Sequence, residues 1–239
     1  MTAQTPETTQ RAYARFAGLM YLAVLTFDVA GAVVLARIRG GGSFVEASHR
    51  VLASETLYRL GLCSSLAGSL ATVLLAAGLY VAVRPAGPNL ALVALLFRVV
   101  ESAVGAAAIA VGFATLQLHL EATRAGALDA GQLSALADLT SRASGVGTSI
   151  SAIFFSLGST VFFWLFLRSG LIPRALAAWG VFASLLYAAA WLVGLVLPQS
   201  SLVPYASAPI LVGELSTALW LLIAGIRTVP APAPALGTS

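Results

Sequence analysis

The sequence predicts an all-α polytopic membrane protein, six transmembrane helices in one bundle, and three observations carry that expectation. Apolar residues make up 59% of the 239-residue chain and charged residues only 9%, whereas a soluble domain keeps about a quarter of its residues charged. Six apolar stretches have the length that a hydrocarbon core of about 30 Å demands. The charges that do occur gather at the ends of those stretches, with four exceptions. Asp28, Arg98, Glu101 and Glu214 interrupt them from within.

The expected spans are 13–38, 58–83, 90–118, 145–167, 174–197 and 206–226, inside a single transmembrane domain, 13–227. Residues 1–12 read as a disordered N-terminus, rich in Thr, and 228–239 as a disordered tail with alternating Pro and Ala. Ala30-Gly31-Ala32 resembles a signal-peptide cleavage site, but Asp28 breaks the apolar region and Val33-Val34-Leu35 continues it. The first span is therefore read as retained. The second holds Cys63-Ser64-Ser65-Leu66-Ala67-Gly68-Ser69, where small residues at four-residue spacing suit close helix contact and, alternatively, a polar conduit.

Two connections read as more than linkers. Ser43-Phe44-Val45-Glu46 has capping-box spacing, followed by Val51 and Leu52 at helical spacing. Leu133, Leu136 and Thr140 suggest a second short amphipathic helix. Both are expected along the membrane surface, either covering a cavity or simply returning the chain. Pro173 and Pro209 read as helix starts, where proline is tolerated, and Trp164, Trp179, Trp191 and Trp220 as interfacial anchors.

Orientation follows from the arginines. Arg11, Arg15, Arg84, Arg168, Arg174 and Arg227 fall on one side; Arg37, Arg39, Arg50, Arg59, Arg124 and Arg142 fall on the other, mixed with acids. The first set occupies termini and short connections, where the positive-inside rule applies best. Both termini are accordingly expected in the cytoplasm of a cell-membrane protein.

Several chemistries are disfavoured. The arginines form no basic stripe, so no nucleic-acid partner is expected. One cysteine offers no disulfide or CxxC pair, and His49 and His119, both expected near one membrane edge, are too few ligands for a metal. They read as interfacial polar residues. No P-loop, dinucleotide fingerprint, HExxH or GxSxG pattern occurs. No cofactor and no metal are expected, and the partners anticipated are the lipid bilayer and a lipophilic small molecule.

The intramembrane charges are the candidate site. A charge at the bilayer centre costs about 2.5–3.5 kcal/mol on insertion scales, so such groups face one another or a wet cavity. Arg98 and Glu101 lie about 60° apart on one helix face, together with Ser102, Gly105, Ile109 and Gly112. Tyr21, Asp28 and Gly31 share a face of the first span; Ser207, Glu214, Thr217 and Gly225 share one of the sixth. By residue count Glu214 is expected nearer the outer end, with Asp28 between it and the Arg98–Glu101 pair. The ligand-binding candidates are thus Arg98, Glu101, Glu214, Asp28 and Tyr21, with Glu101 and Glu214 as candidate acid–base groups. Three carboxylates against one guanidinium leave at least one acid without a cation. The competing reading is a salt bridge that only locks the bundle.

At these residues the chain resembles a family of bacterial six-helix membrane proteins grouped as domain of unknown function 4386. The resemblance rests on Arg15-x-x-Gly18-x-x-Tyr21, Tyr58-Arg59-Leu60-Gly61, Leu79-Tyr80 before Arg84-Pro85, and Phe97-Arg98-x-x-Glu101. It continues through Arg168-Ser169-Gly170-Leu171-Ile172-Pro173-Arg174, Trp179-Gly180, Pro209, Glu214, Trp220-Leu221 and Gly225. Gly170 departs from the basic residue often found there, and Asp28 has no matching acid. The resemblance implies a six-helix fold and an intramembrane Arg–Glu pair, without an activity, substrate or cofactor. Three function classes follow from the residues: binding or translocation of a small lipophilic or amphipathic ligand; a metal-independent membrane-embedded enzyme using Glu acid–base chemistry; and a structural or sensory partner of another membrane protein.

Overall fold

The computed structural model describes residues 6–122 and 128–227. The expected tail 228–239, the first five residues and Arg124 lie outside the described residues. Seven α-helices follow in order: α1 (Pro6–Arg39), α2 (Phe44–Ala53), α3 (Glu55–Val83), α4 (Pro88–Glu121), α5 (Ala130–Ser169), α6 (Arg174–Val196) and α7 (Leu202–Ile223). All but α2 are long and apolar enough to cross a membrane. A 3-10 turn, Arg84–Ala86, joins α3 to α4.

The six long helices form a closed ring. Each packs on its neighbours in the order α1, α3, α4, α5, α6, α7, and α7 returns to α1. That last seam depends on Gly18: a Cβ there would stand 2.8 Å from the Ala218 carbonyl oxygen and 2.7 Å from the Leu222 nitrogen. Backbone approach this close is open only to glycine, and small residues at helix interfaces substitute dispersion contacts for the hydrophobic drive that lipid cannot supply. The outer surface is a coat of exposed Leu, Val and Phe, among them Leu19, Val29, Leu70, Leu96 and Ile223.

Both ends of the described chain lie at one end of the bundle. There the Gln10 amide donates to the Ala82 carbonyl at 2.6 Å, and the Arg227 nitrogen donates to the Leu171 carbonyl at 2.9 Å. The same end holds the larger apolar core, with Leu75, Leu79, Phe162, Phe163, Phe166, Ile172 and Leu221 fully buried. Gly170 terminates α5 in the left-handed region (φ 69°), with open space where a Cβ would stand. Glycine adopts that conformation without strain, which gives a physical reason for glycine rather than a basic side chain at this position.

Several expectations are corrected. α1 begins at Pro6, so 6–12, read as disordered, is helical. The short helix expected around Leu133–Thr140 does not stand alone. It is the first part of α5, which starts from an Asp129/Gln132 capping box and runs 40 residues without a break. No proline and no cap separates the two parts; Gly145 and Gly147 alone do not stop a helix. Pro209 lies inside α7 rather than at its start, because that helix begins at Leu202. By contrast, α2 forms with the expected Ser43/Glu46 capping box. It packs on α4, α1 and α3.

His119 is not a loose interfacial residue. It is 6% exposed, accepts or donates to the Ser48 hydroxyl at 2.9 Å and stacks on Phe44 at 4.9 Å. It fastens α2 to α4, whereas His49 is exposed. Arg50 completes this brace by donating to the carbonyls of Ile38 and Arg39, which the end of α1 leaves without helical partners, and to that of Gly41 in the connection.

Candidate functional site

Inside the ring, between the apolar core and the end that carries α2, lie two adjoining cavities of about 570 and 350 Å³. Asp28, Glu101, Thr148, Ser151 and Tyr187 line both. The larger runs towards Arg39 and Ser144; the smaller lies among α1, α5, α6 and α7 and includes Glu214. These volumes fall in the range of about 300–1,000 Å³ typical of small-molecule sites.

The Arg98–Glu101 pair forms as the helix geometry requires. Arg98 Nη1 stands 3.0 Å from Glu101 Oε2, and the Arg98 side chain is 2% exposed against 14% for Glu101. The contact is one of charge rather than an aligned hydrogen bond, since neither of those atoms has a hydrogen-bond partner among the described residues. Arg98 gains two further supports from α5. Its guanidinium lies 4.7 Å from the centre of the Phe155 ring, a cation–π arrangement. Its aliphatic stem passes over Gly158, where a Cβ would come within 3.0 Å of the stem carbons.

Arg98 and Tyr21 are therefore not lining residues. Neither is among the residues that bound the two cavities. Both stand behind the wall: Tyr21 is 3% exposed and belongs to the apolar core, with its side chain against Glu214. Glu214, 5% exposed, accepts a hydrogen bond from Ser159 of α5 at 3.1 Å. It thus sits at the depth of Tyr21, closer to the chain ends than Asp28, and not nearer the opposite end as its residue count suggested. The four extra residues at the start of α7 account for the difference.

Asp28 has a different setting. It is exposed within the bundle, lines both cavities, and makes no hydrogen bond or ion pair among the described residues. Its carboxylate abuts Gly68 of α3 so closely that no larger residue fits there. Gly31, one turn on, abuts Ser65 of α3 in the same manner. Together these glycines let α1 lean against α3 while Asp28 points to the interior.

A band of hydroxyls completes the lining, and sequence reading largely missed it. Ser65, Ser69 and Thr72 come from α3, Ser102 from α4, and Ser144, Thr148 and Ser151 from α5. Several satisfy their own needs across helix seams: Ser102 donates to the Ser69 carbonyl, Ser151 to the Glu101 carbonyl at 2.9 Å and Ser144 to the Ala108 carbonyl at 3.0 Å. The signal was present as spacing. Residues 65, 69 and 72, and 144, 148 and 151, recur every three or four positions and so share a helix face. Cys63, off that face, is exposed on the outside. Among the described residues no group of three His, Cys, Asp or Glu gathers to hold a metal ion.

A ring of six apolar helices, closed by a solid core at one end and hollow around carboxylates and hydroxyls above it, defines a multi-pass helical membrane protein with a polar interior. The chain belongs to the family described as domain of unknown function DUF4386, whose profile matches residues 16–225. Neither a curated protein nor a solved structure matches it.

Proposed function

We propose that this protein binds a small lipophilic or amphipathic molecule inside the bilayer, its polar part set against the carboxylates and its apolar part among the helix walls. The observation that carries this reading is the convergence of two cavities on Asp28 and Glu101. Intramembrane acids are costly and face protein or water, and here they border space of ligand size. In this reading Arg98 acts from behind as a fixed countercharge for Glu101, not as a ligand contact. The solid apolar core at the chain-end side favours entry from the opposite side or from the bilayer over a pore through the ring. Translocation would then need a rearrangement of the helices, while binding needs none.

The cavity itself supplies the test. Ser69→Phe places a large ring in the larger cavity and leaves all four intramembrane charges in the sequence. Mass spectrometry of the protein purified in mild detergent is expected to find an amphipathic molecule retained by the wild type and depleted from the variant at equal folded yield. Equal retention by both proteins, or no enriched molecule in either, would overturn the proposal.

A further inference from the structure

The smaller cavity has an unusual chemical balance. Asp28, Glu101 and Glu214 all line it, Phe155 and Tyr187 add two aromatic rings, and no arginine is among its lining residues. The larger cavity has Arg39 at its far end, and that guanidinium is already engaged with the Tyr58 hydroxyl at 2.9 Å and its ring at 5.6 Å. Where the two cavities meet, a ligand encounters acids, hydroxyls and the Tyr187 ring.

We infer that the ligand is a lipophilic organic cation, an amine or another onium group carrying apolar substituents, held with its charge between Asp28 and Tyr187 in the smaller cavity. This deepens the binding reading above and rests on it. Asp28 is the acid available for the role. Glu101 faces Arg98, and Glu214 is engaged by Ser159, whereas Asp28 is exposed to the cavity and free of any such partner.

Aromatic rings supply the second half of a cation site, because their faces carry the negative part of the ring quadrupole. The edge-to-face series Phe155–Tyr187–Trp191, with centroids 5.8 and 6.0 Å apart, fixes the Tyr187 ring in place. One such interaction is already realised within the protein: Arg98 over Phe155. An incoming cation would repeat that arrangement one ring further, at Tyr187 on α6. An anion of the same shape would meet three carboxylates, with Arg98 behind the wall against Glu101 and no arginine on the lining, and electrostatic specificity of this kind acts by penalising the wrong charge.

Two ions of nearly identical size and opposite charge test this directly. Tetraphenylphosphonium, tetraphenylborate and the neutral triphenylmethanol are titrated against the full chain in nanodiscs, with empty nanodiscs subtracted for partition into lipid. Saturable phosphonium binding is expected, roughly tenfold or more tighter than borate, the ratio that about 1.4 kcal/mol of charge discrimination produces. Asp28→Asn and, independently, Tyr187→Leu should each weaken phosphonium binding by about three- to thirtyfold, in keeping with desolvated cation–π and charge contacts. Triphenylmethanol binding should weaken less than phosphonium binding in Asp28→Asn, and a melting curve of the variant in the same nanodiscs reports that it is folded. Saturable binding of borate or triphenylmethanol at least as tight as phosphonium would overturn the cation assignment and leave ligand binding standing. Phosphonium binding indifferent to both substitutions would do the same. If none of the three probes saturates, the binding reading falls with it.

Discussion

Arg98 carries the largest fully buried side chain among the described residues, and its surroundings reveal what such a residue requires. A guanidinium at membrane depth is costly, and this one is supplied with a charge, a ring face and room for its stem. Here Glu101 supplies the first, Phe155 the second and Gly158 the third. Removing one member of a buried pair costs about 3–5 kcal/mol because the other is left as an unpaired charge. Arg98→Ala is therefore expected to lower folded yield more than Arg98→Ala combined with Glu101→Ala, as measured by fluorescence-detected size exclusion of the two variants. A double variant that expresses no better than the single one would show that the pair is not the unit of stability. Of this environment, only the pairing was legible in the sequence, because three residues along a helix fix two side chains on one face. Gly158 and Phe155 were not, since which helix faces Arg98 depends on the ring order, and nothing in local sequence states it.

Among the elements, the two longest surprises have one cause. Apolar periodicity reports where lipid contact is, not where a helix stops, so α5 continues past the expected span in one direction and α1 past it in the other. Only a break in backbone chemistry ends a helix, and the loops that were read correctly are those with one: Gly170 to Pro173 between α5 and α6, and Ser43 ahead of α2. The ring seam is the most demanding contact between elements. Gly18→Val would drive methyl groups into the Ala218 and Leu222 backbone, and over-packing of this kind costs about 1–3 kcal/mol or more. A drop in melting temperature in detergent is expected, with a larger loss than for Gly41→Val, where an added Cβ would meet nothing within 4 Å. Comparable melting temperatures for the two variants would refute the tight α1–α7 seam.

At the scale of the whole molecule, six spans put both ends of the described chain on one face. The arginines partition between the two ends as the span order dictates, with Arg11, Arg15, Arg84, Arg168, Arg174 and Arg227 beside the apolar core. In a Cys63→Ser background, single cysteines at Thr8 and at Arg227 should react with an impermeant maleimide from the same side, expected from the arginine distribution to be the cytoplasm. Labelling from opposite sides would overturn the topology, and joint labelling from outside would reverse the orientation alone. The fold class was legible in composition and span length, since a bilayer leaves few alternatives to a helix bundle. The hollow was not. Three carboxylates announced that something polar lay within, but a cavity is a property of how far apart six helices stand. That spacing is set by glycines and serines whose partners lie on other helices, 33 residues away for Ser102 and 50 for Ser151.

The closed ring also fixes an order of events during synthesis. α1 emerges from the ribosome early and can pair with α3 soon afterwards, while α7, which must seal against Gly18, is the last of the seven helices to be made. Until then Asp28 and the Arg98–Glu101 pair border a gap in an unfinished wall. A chain released before Leu202 would hold an open trough of acids towards the lipid. Charges facing lipid are costly, so premature termination here is expected to leave an unstable chain rather than a smaller working protein.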